Sequence, residues 1–138
     1  MHVPHVNYLA VLVSGIAIFI LGGLWYSKAL FAKRWIVLMG KSEEDLKSGS
    51  GAMPVLLIQA LICGLLIAWV MAVVLNHFAP VDPMRGALVG VLCWLGFAAA
   101  TSYATSIFSM QPKGLWLINT GYNLVSFVIA GAILGAWR

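Results

Sequence analysis

Four apolar runs, each close to the length of a bilayer crossing, constrain this chain more than any other feature. They cover about 6 to 26, 54 to 75, 84 to 108 and 115 to 137. At a rise of about 1.5 Å per residue, roughly 20 apolar residues cross a hydrocarbon core of about 30 Å. Backbone polar groups in that core must pair within their own segment, so each run is expected to be a helix. The predicted fold class is therefore all-α: a polytopic membrane protein with four transmembrane helices in one domain spanning 1–138. Composition agrees, because 62% hydrophobic and 9% charged residues leave too little charge to keep a soluble surface wet.

The first crossing ends in Leu21–Gly40, LGGLWYSKALFAKRWIVLMG. Trp25 and Tyr26 followed by Lys28, Lys33 and Arg34 read as a passage through the headgroup layer, where aromatic rings settle and cations collect. Phe31, Trp35 and Leu38 recur at helical spacing, which predicts a short interfacial helix after the first span, with Trp25, Phe31 and Trp35 at the interface. Ser42 before Glu43, Glu44 and Asp45 has the pattern of a helix N-cap. Six cations (Lys28, Lys33, Arg34, Lys41, Lys47, Lys113) lie on one side of the spans and two (Arg85, Arg138) on the other. That asymmetry places the long loop in the cytoplasm and both termini outside, with an inner bacterial membrane as the expected location. The net charge of +4 is thereby explained by membrane lipid, not by nucleic acid. The first run is too long for a signal h-region and is expected to be retained as a span.

Polar residues pool in the half of the spans nearest the basic loop: Tyr26, Gln59, Thr101, Ser102, Thr105, Ser106, Asn119, Thr120, Tyr122 and Asn123. Asn119, Asn123, Ser126 and Ala130 fall on one face of the last helix, which is expected to point into the bundle. Small residues pool at the other end, in Gly86 and Gly90, Gly131 and Gly135, and Gly64, Ala68 and Ala72, where they allow close backbone approach. A bundle pinched at one end and splayed at the other would leave a polar vestibule. Its expected ligand-binding residues are Tyr26, Gln59, Thr101, Thr105, Asn119, Tyr122 and Asn123, and its expected occupant is a small polar or amphipathic molecule, bound or passed. Two alternatives compete: the same groups simply bond helix to helix, or the protein is a structural homo-oligomer with no small ligand. Homo-oligomerisation is expected in either case, from the small lateral surface of four short spans.

Several chemistries are disfavoured. No Asp, Glu, Lys or Arg sits firmly inside a span, which argues against a proton-coupled exporter. Cys63 and Cys93 differ in expected depth by roughly 10 Å, too far for a disulfide. His2, His5, His77 and Asp82 share one side but make a weak case for a metal, so no metal site and no cofactor are expected. No nucleophile elbow or phosphate-cradling loop is present, and no enzymatic activity is expected.

Gly22-Gly23-Leu24-Trp25-Tyr26-Ser27 with Phe31 and Trp35, Ser42-Glu43-Glu44-Asp45-Leu46, Leu95-Gly96-Phe97, Leu117-Ile118-Asn119-Thr120-Gly121-Tyr122 and Gly131-Ala132-Ile133-Leu134-Gly135-Ala136-Trp137 together carry a resemblance. The chain resembles a family of small bacterial four-span membrane proteins catalogued only as a domain of unknown function. Lys28 stands where that family often has proline, and Asn123 where many members have histidine. The resemblance implies no activity, but it singles out Trp25, Tyr26, Trp35, Asn119 and Tyr122.

Overall fold

The computed structural model describes residues 6–27, 32–39, 53–77 and 82–137. Within them the chain is helical: α1 (Tyr8–Trp25), α2 (Ala32–Met39), α3 (Met53–Leu75), α4 (Pro83–Phe108) and α5 (Lys113–Ala136). α1, α3, α4 and α5 are each long and apolar enough to cross a bilayer. The short α2 lies where the interfacial helix is expected. Phe31 and the Ser42 cap fall outside the described residues, as does the side chain of Trp35.

Local signals explain where helices start. Asn7 Oδ1 accepts from the Leu9 and Ala10 amides at 3.1 and 3.2 Å, and Asp82 Oδ1 accepts from the Arg85 amide at 2.7 Å ahead of Pro83. Both side chains satisfy amides that a helix start leaves open. The end of α4 is less conventional. Met110 takes φ 54°, its amide donates to the Ile107 carbonyl and the Gln111 amide to the Ser106 carbonyl, which is a Schellman closure with methionine where glycine is usual.

α5 is the hub. It packs along α4 most extensively and also meets α1 and α3, α1 packs on α3, and α3 barely touches α4. The basic α2 reaches the start of α5, where Leu38 lies against Gly114. The buried apolar core, including Val6, Ala10, Val11, Ala68, Met71, Leu75, Ala130 and Leu134, is concentrated toward the end where α1 begins and α3 and α5 finish. There a methyl group on Gly86 would overlap the Gly131 carbonyl, one on Gly131 would overlap the Gly86 carbonyl, and one on Gly90 the Phe127 carbonyl. Backbone meets backbone, so the small-residue seam of α4 and α5 is the pinch expected from the sequence. A second close crossing sets Gly15 of α1, which was not singled out from the sequence, against Leu65 and Gly64 of α3.

The helical register of α4 changes midway. Trp94–Ala99 forms a π-helical stretch, in which the Ala100 amide reaches back five residues to the Leu95 carbonyl. The inward-facing positions run Gly86, Gly90 and Trp94, then jump by five to Ala99 and continue through Ser102 and Ser106. A uniform α-helix would instead have turned Phe97, Thr101 and Phe108 inward. Phe97 and Phe108 are 78% and 88% exposed, pointing at the lipid side.

Candidate functional site

At the basic end, α1 and α5 are joined by hydrogen bonds from aromatic side chains. Trp25 Nε1 donates to the Ile118 carbonyl at 2.9 Å, the Tyr26 hydroxyl to Asn119 Oδ1 at 2.7 Å, and the Tyr122 hydroxyl to the Ile18 carbonyl at 3.0 Å. The Tyr26 and Tyr122 rings meet edge to face with centroids 5.7 Å apart. Glycines admit them: a methyl group on Gly121 would lie 3.1 Å from the Trp25 ring, and one on Gly22 would lie 3.0 Å from the Tyr122 hydroxyl. Trp25 thus turns its polar edge into the bundle.

On the other side of α5 the second half of α4 stands away. Between them is a recess of about 270 Å³, open on one side and lined by Ser102, Thr105, Gln111, Trp116, Asn119, Thr120 and Asn123. Its walls are fixed by two tryptophans. Trp94 Nε1 donates to the Thr120 carbonyl at 2.9 Å above it, and Trp116 Nε1 donates to Ser102 Oγ at 3.0 Å across it. Tyr103 stacks edge to face on Trp116 with centroids 4.9 Å apart. Ser102 and Thr105 direct their hydroxyls to their own helix, at the Ala99 and Thr101 carbonyls.

Four other polar groups of the recess have no protein partner among the described residues. The Thr120 hydroxyl is buried and unbonded. Asn119 spends only its Oδ1, on Tyr26, which leaves both Nδ2 hydrogens. The carboxamides of Asn123 and Gln111 make no hydrogen bond. Together they present several donors and two carbonyl acceptors around one small volume, with no ionisable side chain in the lining.

The expected site residues divide accordingly. Thr105, Asn119 and Asn123 line the recess. Tyr26 and Tyr122 stand behind it in the α1–α5 seam, where they hold Asn119 and the helix crossing. Thr101 is exposed and donates to the Phe97 carbonyl at 2.6 Å, because the π-helical stretch carries it off the inward face. Gln59 is exposed on α3, far round the helix from the buried Gly64, and belongs to no part of the recess. Depth alone had grouped it with the others, and depth does not determine helix face. Gln111, Trp116, Thr120 and the wall residue Trp94 were not among the expected ligand-binding residues. The signal available for Thr120 and Trp116 was their place one residue after and three before Asn119 on the same helix. Gln111 follows the strained Met110, which only the folded chain reveals.

Among the described residues no group of three or more His, Cys, Asp or Glu side chains could hold an ion. His77 is exposed with Nδ1 2.9 Å from the Val73 carbonyl, and His2 and His5 lie outside the described residues. Cys63 and Cys93 are free thiols.

A family described as "Protein of unknown function (DUF1761)" matches residues 9–135. No curated protein and no solved structure matches the chain.

Proposed function

The chain belongs to the DUF1761 family of proteins of unknown function, and from that premise we propose that it is a membrane-embedded binding protein for a small uncharged polar molecule. The molecule sits in the recess between the second half of α4 and the first half of α5, at the cytoplasmic side of a bacterial inner membrane. One observation supports this reading above all: the free Asn119 Nδ2, the Gln111 and Asn123 carboxamides without a partner among the described residues, and the buried unpartnered Thr120 hydroxyl meet at one volume of about 270 Å³. In or beside hydrocarbon such groups are costly unless something bonds them. Carboxamides offer a donor and an acceptor together, so they suit a ligand of mixed hydrogen-bonding character, such as an amide or a polyol. Neutral lining favours a neutral ligand, because a buried net charge would be left uncompensated.

The lining contains no carboxylate, imidazole or thiol to serve as acid, base or nucleophile. The test of the binding site is a mass spectrum of the protein released from native-lipid discs, compared with Asn119→Leu and Asn123→Leu. Small-molecule adducts at fixed stoichiometry on the parent protein and absent from both variants are expected. A bare parent protein, or adducts equally retained by both variants, would refute the site.

A further inference from the structure

Gln59 raises a separate question, because its carboxamide bonds none of the described residues. On α3 the positions that meet α1 and α5 include Gly64, Ala68, Met71 and Leu75, all buried. At about 100° per residue Gln59 lies about 140° round the helix from Gly64. It shares its direction with Ile62, Cys63, Leu66 and Val70, every one of them exposed. Among the described residues no helix covers this outer face, since α3 packs on α1 and α5 from one side and scarcely touches α4. Gln59 makes no hydrogen bond with any described residue, and it stands six residues into α3, about 9 Å along the axis from Met53.

We propose that the outer face of α3 is a homodimer interface in which the Gln59 carboxamides of two copies bond each other. The occupant follows from charge complementarity. A carboxamide places a positive N–H edge beside a negative carbonyl, so its complement is a second carboxamide in reversed orientation. Lipid tails offer no such group, and an amide left among them stays unsatisfied. A twofold axis along the membrane normal sets equivalent residues at equal depth, and that symmetry brings Gln59 to Gln59 with two reciprocal bonds. Ile62, Leu66 and Val70 then pack against their counterparts, as the apolar flanks of a polar contact do between membrane helices. The pairing involves no residue of the recess, so it stands or falls apart from the ligand proposal.

The chain carries its own reporter, since Cys63 lies one turn from Gln59 and about 40° round the same face. The experiment oxidises the full-length Cys93→Ser protein in native membranes with copper phenanthroline and measures the disulfide-linked dimer. A Cys63-linked dimer is expected, reduced by about threefold to tenfold in Gln59→Leu and largely restored in Gln59→Asn. Leu57→Cys in a background lacking both native cysteines reports the opposite side of α3 and should cross-link poorly. Masses in lipid discs supply the second measurement, with a dimer for the parent protein and a monomer for Gln59→Leu. Absence of the Cys63 dimer, cross-linking at Leu57→Cys equal to that at Cys63, or a Gln59→Leu yield matching the parent would overturn the interface.

Discussion

Thr120 and Met110 each depart from the pattern of their neighbours in α4 and α5. Most serine and threonine hydroxyls in α4 and α5 return to their own helix, as Ser126 does to the Tyr122 carbonyl at 2.8 Å. The Thr120 hydroxyl does not, although it is buried. Replacing it by the near-isosteric valine removes an unsatisfied group, so Thr120→Val is expected to leave ligand-free stability unchanged or raised by about 1 kcal/mol. The same change should weaken retention of the bound molecule. Thermal unfolding in detergent with and without the native-lipid extract separates the two effects, and a destabilised ligand-free protein would contradict the description of Thr120 as unpartnered. Met110 is held at φ 54° beside the recess residue Gln111. Methionine pays about 1 kcal/mol for that conformation where glycine does not. Met110→Gly should therefore stabilise the protein by roughly 0.5–1 kcal/mol, less whatever the unfolded chain gains in freedom. A lower unfolding temperature in the variant would argue against strain at the turn.

Helices α4 and α5 illustrate both what periodicity can reveal and where it stops. Gly86 and Gly131 meet carbonyl against backbone, so Gly86→Ala must push the helices apart, with an expected loss of about 2 kcal/mol or more. A methyl group on Gly23 meets nothing within 4 Å, and Gly23→Ala should stabilise α1 by up to about 1 kcal/mol. Equal effects from the two substitutions would remove the case for a tight seam. That seam was legible because small residues four apart state their reason for being small. The inward stripe of α5 was legible for a similar reason, since Ser126 and Ala130 are buried and Asn119 and Asn123 half-buried on its continuation. Thr101 was not, because a uniform helical period was carried across Trp94–Ala99, where the turn widens. A wide turn of this kind amounts to one extra residue. Deleting Gly96 should convert it to α-helix and leave Ala99, Ser102 and Ser106 facing α5. Deleting Ala104 should rotate Ser106 off that face. The first variant is expected to fold with its unfolding temperature preserved and the second to lose it, and the reverse order would contradict the register shift. Gln59 escaped the sequence reading for a different reason, because its depth was inferred while its azimuth depends on which neighbours α3 selects.

On the scale of the whole molecule, the two ends of the bundle are chemically unlike. Apolar residues and glycines close one end, while aromatic donors and amides occupy the other, beside the exposed Lys33 and Arg34 of α2 and Lys113 at the start of α5. The docking of Leu38 on Gly114 fixes α2, and with it two of the cations, to the recess end of the bundle. Orientation in the membrane therefore decides which compartment the recess serves. In the sequence six of the eight cations lie in the segment that joins α1 to α3 or at the start of α5, and positive charge close to short spans is retained on the cytoplasmic side. The expected arrangement has Arg34 inside and Asp82, at the opposite end of α4, outside. Both side chains are exposed, so cysteines introduced there are open to reagent. In a protein with Cys63 and Cys93 replaced by serine, an impermeant maleimide applied to intact cells should label Asp82→Cys and leave Arg34→Cys untouched until the membrane is opened. The opposite pattern would turn the recess to the outside and transfer its ligand to the other compartment. Labelling at both positions in intact cells would mean a mixed insertion, which a count of six against two should not permit.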